Sequence, residues 1–173
     1  MAFLLYVPFL LLRFGLMGLL GGRQALARAQ QFPPFEKGER WAYGVYQLAN
    51  AGVLLYPLFL RVQVTPAARF WIGAAVYLLG LGLLAASVAG FCAPGGSGFS
   101  QGGVYRLSRN PMYVAYFLVF LGCALLAGSG VLLGLVLVFQ VAAHWLIRAE
   151  ERWCLGQFGD AYRRYIGRVR RYF

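Results

Sequence analysis

Residues 111–147 read PMYVAYFLVFLGCALLAGSGVLLGLVLVFQVAAHWLI, without a single Lys, Arg, Asp or Glu. Gly128-Ser129-Gly130 divides this stretch into two apolar runs, 112–127 and 131–147. Both lie near the lower end of the roughly 17–25 residues with which a helix crosses hydrocarbon. Glycine supplies the positive φ that a tight reversal requires. The stretch therefore reads as an antiparallel hairpin of two membrane helices.

Working outward, further apolar runs lie at 2–21, 42–60 and 70–92. The fold class expected is all-α: a polytopic membrane bundle of about five helices, with a C-terminal helical hairpin. Composition agrees, since 61% of the residues are hydrophobic and only 12% charged, against about 25% charged in a soluble domain. The 173 residues form one membrane domain, with 1–92 as the N-terminal spans and 93–173 as a second half. Ala25-Leu26-Ala27 resembles a signal-peptidase site, but no basic residue precedes the apolar run and Arg13 interrupts it. The run is read as a span rather than a leader, and Arg13 has no evident partner.

The net charge of +11 raises the question of nucleic acid. The basic residues lie between apolar runs and in the tail, so anionic headgroups of the bilayer are the expected partner. Cys92, Cys123 and Cys154 show no CxxC spacing and His144 is the single histidine. Neither disulfides nor a metal are expected. With the C-terminus in the cytosol, one face collects Arg23, Arg28, Lys37, Arg40, Arg106, Arg109, Arg148, Arg152 and the arginines of the tail; Arg61 and Arg69 remain on the other. Retention of Lys and Arg in cytoplasmic loops then sets the orientation.

Two constellations meet on that face. The first is Gly103-Val104-Tyr105-Arg106-Leu107-Ser108-Arg109-Asn110-Pro111-Met112-Tyr113, following a glycine-rich loop with Gly90, Gly95, Gly96, Gly98 and Gly102. Pro111 suits the first turn of a helix and Asn110 suits its N-cap, above which free N–H groups form a site for an anion. The second is Arg148-Ala149-Glu150-Glu151-Arg152. Adjacent carboxylates at a helix C-terminal end, near hydrocarbon, need something cationic beside them. The hairpin brings the two together, in a pocket suited to a zwitterionic ligand bearing a carboxylate, an amine and hydroxyl groups. Taken separately, the same residues also describe a capped helix and an interfacial ion-pair cluster.

In Gly103 to Tyr113, Glu150-Glu151 and the tail Phe158-Gly159-Asp160-Ala161-Tyr162-Arg163-Arg164-Tyr165, the chain resembles the integral membrane methyltransferases related to isoprenylcysteine carboxyl methyltransferase and phosphatidylethanolamine N-methyltransferase. The resemblance covers roughly the C-terminal half. It implies that 93–173 binds S-adenosylmethionine, releasing S-adenosylhomocysteine, with Tyr105, Arg109, Asn110, Tyr113, Glu150 and Glu151 lining the pocket. Gly80-Leu81-Gly82 resembles a Gly-x-Gly of the phospholipid enzymes and is a further cofactor candidate, although small residues in membrane helices also serve close packing. Many relatives carry histidine where this chain has Asn110. Asn-Pro-Met-Tyr is tolerated in the phospholipid enzymes, which favours a phospholipid amine as acceptor.

The expected activity is methyl transfer to a lipophilic, membrane-borne acceptor, with Glu150 as the base and Tyr113 as the second catalytic candidate. Arg106, Arg148 and Arg152 are candidates for holding a lipid phosphate, and His144 for facing the substrate. Alternatives are a carboxyl or thiol acceptor, or a noncatalytic lipid-binding protein of the same fold. The tail from Arg152 to Phe173, alternating aromatic and basic residues, reads as an interfacial amphipathic segment.

Overall fold

The computed structural model describes residues 1–29, 34–36, 38–64, 68–93 and 98–173. Lys37, Gly95 and Gly96, singled out above, lie outside them. Among the described residues the secondary structure is helical, apart from one isolated bridge between Ser108 and Arg170. We label the helices α1 (Ala2–Ala29), α2 (Glu39–Leu55), α3 (Ala68–Cys92), α4 (Pro111–Ala127) and α5 (Gly130–Arg168).

The α4–α5 turn forms as expected. Gly128 adopts φ 60°, ψ 32° and its N–H reaches back to the carbonyls of Ala124 and Leu125, while the Ser129 hydroxyl accepts from Leu132 N–H at 3.2 Å. Left-handed glycine at a helix C-terminus followed by a serine N-cap ends one helix and starts the next within a few residues.

Three helices, α1, α3 and α5, are long and apolar enough to cross a membrane. The expected count of about five is not reached on that measure: α4 is apolar but shorter, and α2 opens on Glu39 and Arg40. The unbroken part of α5, residues 130–158, extends about 44 Å at about 1.5 Å per residue, longer than the roughly 30 Å of the hydrocarbon. Its apolar part ends at Ile147, so Arg148 onward projects beyond the membrane core. Exposed Trp71, Leu78, Leu79, Val131, Val138 and Val141 give the bundle an apolar outer surface.

Inside, α4 lies against α3 and α5 against α2. Small residues allow the α3–α4 approach: a Cβ on Gly80 would stand 2.7 Å from Val119 N, and one on Gly122 2.7 Å from Tyr77 N. Around this seam Tyr6, Phe9, Phe120 and Phe139 form an aromatic core, with ring centroids 5.2–5.7 Å apart between the contacting pairs Phe9–Phe120, Phe120–Phe139 and Tyr6–Phe120. The Tyr6 hydroxyl donates to Val53 O and that of Tyr77 to Leu5 O, at 3.0 and 2.7 Å, which satisfies both polar groups inside an apolar interior.

The tail does more than lie along an interface. At Gly159 (φ 51°, ψ −128°) helix α5 breaks, and beyond it Tyr162 and Tyr165 pack on Phe99, their ring centroids 5.1 and 5.4 Å from it. The Tyr165 hydroxyl donates to Tyr105 O at 2.7 Å, and Arg109 N–H to Arg170 O at 2.9 Å. The last residues thus run beside the segment that leads into α4.

Candidate active site

Between α1, α2, α4, α5 and the returning tail lies a cavity of about 540 Å³. Its lining includes Tyr105, Arg109, Asn110, Tyr113, Glu150 and Glu151, the whole of the set marked by the Gly103–Tyr113 and Glu150-Glu151 motifs. Proline at the first position of α4 and the α4–α5 reversal bring these residues together, since the hairpin sets the far end of α5 beside the start of α4.

The two adjacent glutamates have different environments. Glu151 is saturated: Oε1 accepts from Arg109 Nε at 3.0 Å and Asn110 Nδ2 at 3.1 Å, and Oε2 from Arg171 Nε at 3.1 Å and Nη2 at 2.8 Å. Burial opposes its charge, but the Arg171 hydrogen bonds and the neighbouring Arg109 hold the carboxyl below its usual value. Arg109 also donates to the carbonyls of Ile166 and Val169, at 3.1 and 2.8 Å. Side chains of Arg109 and Glu151 are only 8% and 7% exposed. This pair is the clasp that fastens α4, α5 and the tail to one another.

Glu150 is different, because its Oε1 accepts a single hydrogen bond, from the Tyr113 hydroxyl at 2.6 Å, and makes no ion pair among the described residues. It stands one residue before Glu151 but reaches into the cavity. Burial pushes its carboxyl up to about 7, with the Tyr113 hydrogen bond pulling the other way. A carboxyl held near neutrality in a cavity is poised for proton exchange.

Asn110 occupies the N-cap position of α4, but its side chain makes no capping bond. The amide instead donates to Glu151 and, at 3.3 Å, to Arg171 O, because a carboxylate is the stronger acceptor. The first N–H groups of α4 consequently keep no side-chain cap.

The other candidates lie elsewhere. Gly80 and Gly82 do not line the cavity: Gly80 is taken up by the approach to Val119, and nothing lies within 4 Å of a Cβ on Gly82. Arg152 is drawn to α2, donating to Glu39 Oε1 and Oε2 at 2.8 and 2.6 Å and lying 3.3 Å from Glu36. The Arg148 guanidinium sits 5.2 Å over the Trp145 ring, and His144 Nδ1 lies 2.8 Å from the Tyr172 hydroxyl. Arg106 borders a separate hollow with Arg164 and Arg168. The three α5 candidates lie about 120–160° around the helix from Glu150 at about 100° per residue, so they do not share its side of α5.

Sequence reasoning missed further lining residues of the N-terminal helices and of α4, among them Arg13, Tyr46 and Tyr116. Only Arg13 had a signal, as a charge inside an apolar run. Among the described residues no group of His, Cys, Asp or Glu is arranged to hold a metal.

A family model described as phospholipid methyltransferase matches residues 91–161. The matched segment runs from the end of α3 through both motifs to Ala161, and leaves out α1 and α2. Neither the curated proteins nor the solved structures gave a match.

Proposed function

Given the phospholipid methyltransferase match over residues 91–161, we propose that this integral membrane protein transfers a methyl group from S-adenosylmethionine to the amine of a membrane phospholipid such as phosphatidylethanolamine. The observation that carries the reading is the coincidence of the matched segment with a cavity in which Glu150, bound only by Tyr113, faces a polar wall.

The cavity suits the cofactor in size and chemistry. Its volume of about 540 Å³ lies within the range of about 300–1,000 Å³ usual for small-molecule sites. Tyr105, Tyr113 and Tyr162 offer flat faces and hydroxyl groups, and the uncapped N–H groups of α4 suit a carboxylate. Tyr105, Asn110 and Tyr113 would hold it, on the floor made by Arg109 and Glu151. When bound, S-adenosylmethionine supplies an electrophilic methyl group on a sulfonium sulfur.

A lipid ammonium has no lone pair, so the protein must first remove a proton. Glu150 accepts it, and the Tyr113 hydroxyl stabilises the carboxylate form by its hydrogen bond while fixing the side chain. The clasp of Arg109, Asn110, Glu151 and Arg171 holds α4, α5 and the tail at fixed distances, so the reacting groups are aligned before they meet; such positioning is worth up to about 7–11 kcal/mol. The basic residues of the loops and tail favour an active site on the cytosolic face with the C-terminus in the cytosol.

The test is a labelled-methyl assay in vesicles of phosphatidylethanolamine, with parallel assays on a prenylcysteine carboxylate and an alkyl thiol. Label in the phospholipid fraction, lost in Glu150→Gln, supports the reading. Label in either other acceptor alone moves the acceptor class, and no label in any, with the fold intact, contradicts the enzyme reading.

A further inference from the structure

Arg13 is not used by this mechanism. It lies in the apolar run of α1, outside the matched segment, on the π-helical turn Leu11–Leu16. One extra residue in a helical turn redirects side chains, and such turns concentrate at functional sites. The turn aims Arg13 into the cavity.

What Arg13 touches there is insufficient for a guanidinium. Nη1 lies 3.1 Å from Met17 Sδ, a weak acceptor, and Nη2 3.4 Å from Ala29 O. Its Cζ stands 5.5 and 5.9 Å from the ring centroids of Phe14 and Tyr116. No carboxylate comes within ion-pair distance of it, and Glu150 in the same cavity feels its charge without touching it. The chain has five acidic residues: Glu36 and Glu39 meet Arg152, Asp160 meets Arg163, Glu151 meets Arg109 and Arg171, and Glu150 is bonded to Tyr113. A cation at membrane depth that no counter-charge contacts marks a functional site by default. A second observation points the same way: the buried Tyr116 hydroxyl lies within the electrostatic reach of Arg13 yet has no hydrogen-bond partner of ordinary distance and angle among the described residues.

We infer that Arg13, with the Tyr116 hydroxyl, is the site for the anionic oxygen group of the amphipathic acceptor, a phosphate or a carboxylate. This rests on the reading of the cavity as a methyltransferase site. Guanidinium and phenol donors match such a group, and the Tyr116 ring lies 6.0 Å from that of Tyr113, whose hydroxyl meets Glu150. An acceptor anchored at Arg13 presents its nucleophilic end toward Glu150. The anion-holding role sought in Arg106, Arg148 and Arg152 passes to a residue of α1.

The experiment measures binding of dodecyl phosphate, dodecanoate and uncharged dodecyl glycerol to the whole protein in an uncharged maltoside detergent, with S-adenosylhomocysteine titrated separately. Arg13→Gln should weaken one or both anionic probes about tenfold or more, Arg13→Lys less, and Tyr116→Phe should weaken the same probe. Affinity for dodecyl glycerol and S-adenosylhomocysteine should hold. Loss of S-adenosylhomocysteine affinity with unchanged probe binding would overturn the inference by assigning Arg13 to the cofactor carboxylate, and so would folded variants that bind every ligand like wild type. If Arg13→Gln does not fold, Tyr116→Phe and the preference of wild type for anionic over uncharged probes decide. Failure of wild type to bind S-adenosylhomocysteine would sink the methyltransferase reading, while the alkyl probes still report on Arg13.

Discussion

The Tyr113 hydroxyl lies 2.6 Å from Glu150 Oε1, joining the first turn of α4 to a point 37 residues further along the chain. The bond sets the rotamer of the one cavity-facing carboxylate that no arginine contacts, and favours its charged form.

From this contact follows a pH dependence. With its carboxyl near 7, Glu150 is protonated below that value and unable to accept the ammonium proton, so turnover should rise as pH increases through about 7. Glu150→Gln should abolish that limb and lower kcat by about 10²–10⁴-fold. Tyr113→Phe removes the interaction that opposes burial, so the limb should move to higher pH. Measured kcat against pH for the three proteins checks this; a limb retained in Glu150→Gln assigns it to another group.

The clasp governs stability rather than proton transfer. Glu151→Ala leaves the Arg109 guanidinium buried without its counter-charge, and the expected loss is about 3–5 kcal/mol. The Glu151 carboxyl is depressed in the folded protein, so its contribution is present above the ordinary carboxyl value and disappears as pH falls through the folded one. Thermal unfolding in detergent, followed from pH 7 into the acid range, should show wild type losing stability where Glu151→Ala changes less.

Gly80 and Gly82 should separate sharply. Gly80→Val has to push α3 away from Val119 N and should lower stability by about 1–3 kcal/mol, whereas Gly82→Ala meets nothing and should leave stability and S-adenosylhomocysteine affinity unchanged. Cofactor affinity lost in Gly82→Ala, with melting unaltered, would restore the glycine pair to the binding site.

Arg152 tests the value of a partly exposed ion pair. Its side chain is 42% exposed, against 12% for its bidentate partner Glu39 and 71% for Glu36, so Arg152→Ala should cost about 1 kcal/mol and should leave the KM for a phospholipid acceptor near that of wild type. A large rise in KM would return Arg152 to the substrate.

Much of this was legible in the sequence because it depends on local chemistry. Hydropathy and Gly128-Ser129-Gly130 define the hairpin, and the hairpin forces the Tyr113 and Glu150 regions together. What escaped depends on helix rotation and long-range pairing. The charges of Glu150 and Glu151 look alike in sequence; only the positions of Arg109 and Arg171 make one a clasp and leave the other facing the cavity. Arg148 and Arg152 have the chemistry to hold a phosphate, and their contacts with Trp145 and Glu39 are not legible in the sequence. Asn110 has an ideal capping position and composition, yet the carboxylate across the hairpin takes its amide. Arg13 was visible as an anomaly, but a π-helical turn has no pattern that hydropathy can reveal.

The most direct test of the central claim is isothermal titration of the detergent-purified protein with S-adenosylmethionine and S-adenosylhomocysteine, repeated on the Glu150→Ala, Glu151→Ala double variant. The account predicts saturable one-to-one binding by wild type, lost in the variant. Folded wild-type protein that binds neither compound would contradict it and leave a noncatalytic lipid-binding role in its place.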